Sequence, residues 1–186
     1  IRQTGKIAIK LKEDDSLVGV KLTKGDDEIL IAASNGKLVR FSEGHVRPMG
    51  RSASGVKGIN VDGSKVIGMT TNREGQLIMV VTENGKMSPI DEYRVSNRGG
   101  KGVKTINVTE RNGQIVAIRA VEGNEDLLII TDDGIVIRLP MEQVKTAGRA
   151  TQGVRLIKVH DSKVSSVEVV AKNEEEVVEE GEEESE

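Results

Sequence analysis

The sequence predicts an all-β fold of propeller type, made of four-stranded antiparallel blades. Three observations carry this. First, one phrase occurs three times: Arg51-Ser-Ala-Ser-Gly-Val-Lys-Gly-Ile-Asn-Val61, Arg98-Gly-Gly-Lys-Gly-Val-Lys-Thr-Ile-Asn-Val108 and Arg149-Ala-Thr-Gln-Gly-Val-Arg-Leu-Ile-Lys-Val159. The arginines stand 47 and 51 residues apart. Second, an apolar run ending in Asn-Gly or Asp-Gly recurs out of phase with that phrase, its turn glycines at Gly36, Gly85 and Gly134. Third, no stretch carries a convincing helical period. A period near 50 with about four strands per unit is the grammar of a propeller blade.

The elements follow in order. Gly5-Lys-Ile-Ala-Ile-Lys-Leu11 opens the chain as a weaker copy of the phrase. Ile29-Leu-Ile-Ala-Ala33, Leu77-Ile-Met-Val-Val81 and Leu127-Leu-Ile-Ile130 are first hairpin strands. Asn-Gly and Asp-Gly supply the positive φ that a tight reversal needs. Lys37–Phe41, Lys86–Ile90 and Ile135–Leu139 return. Ile59 and Val61, Ile106 and Val108, and Ile157 and Val159 alternate with polar residues, which predicts a half-buried strand in each phrase. Further strands are expected at Lys65–Met69, Gln114–Ile118 and Lys163–Val169. Met141–Lys145 has room for one helical turn at most. The sequence period divides the chain into units 1–41, 42–90, 91–139 and 140–170, the first and last incomplete, so the ring is not closed.

Aromatics are 1% of the 186 residues, one Phe and one Tyr, so the cores must be aliphatic. Without cysteine there is neither a disulfide framework nor a thiolate metal site. No apolar run approaches the roughly 18 residues of a membrane span, and no signal peptide is evident. The chain starts at Ile1, inside a repeat, and reads as a piece of a longer protein. Its net charge of -3 hides two objects. Residues 171–186 hold nine Glu and one Lys. That leaves 26 bases and 21 acids in residues 1–170, a balance of about +5. The acidic tail is expected to be disordered. It serves solubility, or it mimics DNA and competes for the basic surface.

Three basic columns follow the repeat: Arg47, Arg94, Lys145; Arg51, Arg98, Arg149; and Lys57, Lys104, Arg155. Lys6 and Lys101 accompany them in the same phrases. Glycines between the second and third columns let backbone N–H groups approach a phosphate, and a neighbouring Arg adds a bidentate contact. Recurrence on successive blades predicts a curved cationic rim for duplex DNA. There is no recognition helix, and the aromatic platforms that stack single strands are missing. A different reading makes Arg51, Arg98 and Arg149 structural, each holding a carbonyl in an inter-blade loop. Tyr93 occupies the repeat position of Val46 and Val144 and reads as a packing residue. Asp132 and Asp133 belong to a turn, and His45 and His160 read as surface residues. No catalytic or metal-binding set is expected, and the Gly-x-x-x-x-Gly-Lys-Ser/Thr loop for ATP does not occur.

The stretch Val46-Arg-Pro-Met-Gly-Arg-Ser-Ala-Ser-Gly-Val-Lys-Gly-Ile59 resembles the C-terminal domain of DNA gyrase A. So do Asp91-Glu-Tyr-Arg94, Val108-Thr-Glu-Arg-Asn-Gly113, Gly148-Arg-Ala-Thr-Gln-Gly-Val-Arg155 and the glutamate-rich end. Asn97-Arg-Gly-Gly-Lys-Gly102 is a partial version of that family's hallmark box. The resemblance implies a β-pinwheel that wraps DNA for ATP-driven negative supercoiling by a type II topoisomerase. It implies the remainder of gyrase A, together with gyrase B, as partners in the bacterial cytoplasm. ATP and Mg would be used elsewhere in that holoenzyme, with no cofactor in this piece. The alternatives are the equivalent domain of topoisomerase IV, or a propeller-type protein-interaction scaffold.

Overall fold

A computed structural model describes residues 4–82, 84–110, 112–151, 153–158 and 162–172, with backbone alone for 84–89. His160 and the acidic tail from residue 173 lie outside the described residues. The strands are β1 (Glu28–Ala33), β2 (Lys37–Ser42), β3 (Val66–Thr71), β4 (Leu77–Val81) and β5 (Asn84–Pro89). There follow β6 (Val103–Lys104), β7 (Ala117–Val121), β8 (Asp126–Thr131), β9 (Val136–Pro140), β10 (Val154–Arg155) and β11 (Val164–Val170). The helical elements among the described residues are single 3-10 turns at Glu43–His45, Ile90–Glu92 and Met141–Gln143, each just after a hairpin. The fold is all-β, as the alternating and continuous apolar runs predict.

Three antiparallel sheets stand in a row, with strand orders β3-β1-β2-β6, β10-β5-β4-β7 and β11-β8-β9. Each is centred on a hairpin, and a later strand, β3, β7 or β11, pairs with the hairpin's first strand. In the first two sheets the outer strand comes from the run of chain that builds the next sheet. Lys104 pairs with Lys37 on β2, and Arg155 pairs with Asn84 on β5. Thus these two sheets are completed by a loan from the neighbour, and the units interlock. The sheets are phased differently from the sequence units. Hairpin plus third strand run 28–71, 77–121 and 126–170.

The apolar runs are continuous because the inner strands are buried on both faces. Period two sorts each run into two cores. On β1, Leu30 and Ala32 enter one cluster with Ile78 and Val80 of β4, Ile118 of β7, Tyr93 and Ile106. Ile29 and Ala33 enter another with Val39, Phe41 and Ile59. On β4 the alternate residues Met79 and Val81 join Leu127, Ile129, Met141, Val144 and Val167. Each fully buried aliphatic side chain stabilises the fold by about 1.5–3 kcal/mol. Tyr93 is wholly buried between the first two sheets.

Several local expectations are corrected. The phrase strands are shorter than alternation suggests: only Val103–Lys104 and Val154–Arg155 form ladders. Residues 55–61 form none, because no hairpin precedes β1 among the described residues for them to join. For the same reason residues 5–11 carry no strand, and Ile7, Ile9 and Leu11 are exposed. The third strand of the middle sheet starts at Ala117, three residues later than the expected Gln114. In the middle hairpin Val81 pairs with Gly85, so Asn84 and Gly85 belong to β5. As in the first hairpin, where Ala33 pairs with Lys37, the two residues of the last ladder pair stand four apart in sequence.

Candidate nucleic-acid interface

The repeated phrase builds a repeated seam. The Gly99 amide donates to the Gly58 carbonyl (2.5 Å) and the Asn60 amide to the Gly100 carbonyl (2.8 Å). One unit on, the Ala150 amide donates to Thr105 (3.1 Å) and the Asn107 amide to Thr151 (3.0 Å). A second-column arginine closes each seam. Arg98 Nη1 donates to the Lys57 carbonyl at 3.1 Å, and its Nε donates to the His45 carbonyl at 3.0 Å. Arg149 Nη1 donates to the Lys104 carbonyl at 3.3 Å. Arg51 Nη1 reaches the Ile7 carbonyl at 3.5 Å. Ile7 stands where Lys57 stands in the next copy, so the same bond recurs three times. The arginines hold the backbone from which the third column projects. A guanidinium has five N–H donors, so each keeps donors for a ligand.

The third column, Lys57, Lys104 and Arg155, is exposed. Lys104 and Arg155 sit on the loaned outer strands, beside the hairpin reversals. The first column, Arg47, Arg94 and Lys145, is also exposed. Each follows a residue fixed by a 3-10 turn: the amides of Val46, Tyr93 and Val144 donate to Glu43, Ile90 and Met141. Val95 bridges Arg40 in parallel, while Lys104 pairs with Lys37. These positions are three residues apart on β2, on the order of 10 Å. The fold therefore brings Arg94 of the first column and Lys104 of the third to one sheet edge. None of these six bases makes an ion pair among the described residues, whereas Arg40, Arg73, Arg119 and Arg138 all do. Lys6 is exposed, and Lys101 is exposed with Asp62 at 3.3 Å.

Lys37 is a base that periodicity missed. It stands opposite Lys104 in the ladder, yet Lys86 and Ile135 follow the other two turn glycines, so it belongs to no column. Only strand pairing reveals it.

Among the described residues one acidic group has metal-like spacing: oxygens of Asp26, Asp27 and Glu43 lie within 4.8 Å of one another. Its charge is already answered. Arg73 pairs with both aspartates. Glu43 accepts from Thr23 Oγ1 (2.5 Å) and from the amides of Gly25 (2.8 Å) and Asp27 (2.7 Å). The Thr23 hydroxyl, then the Asp27 amide, hold the Glu43 carboxyl below its ordinary range. This is an anchor for the segment entering β1. Asp132 and Asp133 are exposed in the last hairpin turn, and His45 is exposed with its carbonyl bound to Arg98.

Successive all-β sheets that share outer strands across the repeat boundary define a protein of the propeller class. The chain belongs to the DNA gyrase C-terminal domain, beta-propeller family, whose model matches residues 1–24, 27–72, 76–122 and 125–171. The last three matches coincide with the three sheets. The chain is 48% identical over 189 residues to DNA gyrase A of Staphylococcus aureus strain MRSA252, covering 99% of this chain and 21% of that protein. It is 50% identical over 181 residues to the same gyrase protein of Staphylococcus epidermidis strain ATCC 12228, covering 95% and 20%. The chain thus spans about a fifth of the length of these relatives. Among solved structures it is similar to the C-terminal domain of DNA topoisomerase IV (TM-score 0.82, 24% identity, 88% of this chain, 53% of that one). It is also similar to a DNA gyrase A C-terminal domain (TM-score 0.80, 20% identity, 90% and 59%). At these identities the structural likeness establishes the fold. No helix among the described residues is long and apolar enough to cross a membrane.

Proposed function

We propose that this chain binds and wraps duplex DNA as a non-catalytic part of DNA gyrase A. In this reading it serves an ATP-dependent, negatively supercoiling topoisomerase in the bacterial cytoplasm. The remainder of gyrase A, together with gyrase B, supplies its partners, and ATP and Mg2+ are used by them. The observation that carries the reading is the set Arg47, Lys57, Arg94, Lys104, Lys145 and Arg155: exposed, repeated, and without ion pairs among the described residues. Cations left without acids on a repeated edge suit a polyanion of regular charge spacing. Duplex DNA presents a phosphate charge about every 1.7 Å of axis. Arg51, Arg98 and Arg149 set the backbone of the rim and add donors to it; Lys6 and Lys101 extend it. Bending a 20–30 bp segment costs about 1–6 kcal/mol, which phosphate contacts along successive units offset.

Relatives near half identity are gyrase proteins, which favours gyrase over topoisomerase IV. A duplex titrated at increasing salt tests the reading. The log–log slope should be several units, at about 0.9 per phosphate contact. A slope near zero would favour the protein-interaction scaffold and sink it.

A further inference from the structure

We propose that Lys37 and Lys104 form a two-lysine phosphate site on the β2–β6 edge of the first sheet, and that filling it secures the loaned strand β6. The proposal rests on the duplex-binding reading above and carries it to a residue outside the repeating columns.

Lys37 and Lys104 are direct cross-strand partners in an antiparallel ladder. Such partners project from the same face with Cβ atoms about 4.5–5.5 Å apart, and like charges so placed repel. Neither lysine makes an ion pair among the described residues, although acids are used close by. Arg40, on the same strand as Lys37, takes Glu28. Lys101, three residues before Lys104, takes Asp62. A third cation, Arg149, is bound to the Lys104 carbonyl. The carboxylate beside it is Glu92, whose Oε2 accepts from the Arg149 amide at 3.3 Å and pairs with neither lysine.

The repulsion falls where the fold can least absorb it. β6 has two residues, and Lys37↔Lys104 is one of its two ladder pairs. A phosphate placed between the two ammonium groups would turn that repulsion into shared, charge-assisted hydrogen bonding. Whatever binds the docked form and not the undocked one stabilises docking. The second seam has no such pair, because Arg155 meets Asn84. The site is therefore particular to one position, and one phosphate of a bound duplex would occupy it.

The full chain is compared with Lys37→Gln, and with Lys24→Gln as a control that removes one charge beside the acidic group. Two readouts are taken: the thermal midpoint in chloride and in inorganic phosphate at matched ionic strength, and the salt slope for a short duplex. Lys37→Gln should melt above the parent in chloride. It should gain less than the parent from phosphate, by about 1–3 °C. Its duplex slope should fall by about 0.9, while Lys24→Gln matches the parent in the phosphate response and in the slope. If Lys37→Gln matches a duplex-binding parent in both readouts, this proposal is overturned and the duplex reading survives. If the parent fails to bind duplex but loses its phosphate response on Lys37→Gln, the duplex reading fails and the two-lysine site stands.

Discussion

Arg98 grips the main chain at Lys57: Nη1 donates to the Lys57 carbonyl at 3.1 Å, across 41 residues of sequence. Two bases that look alike in the sequence have different tasks. Arg98 is half-buried and holds a seam, while Lys57 is exposed. Arg98→Ala should therefore lower stability by about 1–2 kcal/mol in a urea melt, the range for a partly solvated bond from a charged donor. Lys57→Ala should stay within about 0.5 kcal/mol of the parent, yet reduce the duplex salt slope by about 0.9. Equal effects of the two variants on stability would refute the division of labour.

Tyr93 belongs to a seam rather than to chemistry. Its hydroxyl lies 2.5 Å from Thr105 Oγ1 in a wholly buried pair that ties the turn after β5 to the end of the loaned strand β6. Tyr93→Phe keeps the ring and leaves the Thr105 hydroxyl poorer by one partner. The expected loss is about 1–2 kcal/mol, read as a lower urea midpoint with unchanged slope.

Gly102 lets the loaned strand reach β2. Its φ is +72°, and a Cβ there would strike the Leu38 carbonyl oxygen. Gly102→Ala meets left-handed backbone strain of about 1–2 kcal/mol and a clash with main chain that cannot swing aside. The seam should loosen, seen as faster amide exchange at Val103 and Lys104. Protection equal to the parent's would count against the fit described here.

Glu43 predicts acid sensitivity with a definite sign. Its carboxyl is held low by Thr23 and by backbone amides. A depressed carboxyl contributes stability above its unfolded pKa and loses it as pH falls through the folded value. Glu43→Gln should thus be less stable than the parent at neutral pH, and the two should converge in acid. A constant gap across a pH series of melts would contradict the assignment.

The all-β class, the hairpins and the four strands found in two of the three sheets were legible from period and alternation, because side-chain direction in a strand depends only on local sequence. The run Leu77–Val81 announced a hairpin strand, and the repeated phrase announced equivalent bases. Sequence offered a carbonyl-holding task for Arg51, Arg98 and Arg149 beside the phosphate-binding one, but could not choose between them. Arg51, Arg98 and Arg149 found their carbonyl partners 41 to 53 residues away, and a contact at that separation exists only once units are docked. Nor could it find Lys37, whose importance is that Lys104 lies opposite. Chain order alone determined what each unit is. The loan of β6 and β10 decided how units join, because a hairpin edge with unpaired N–H and C=O groups is satisfied by whichever strand the folded neighbour brings to it.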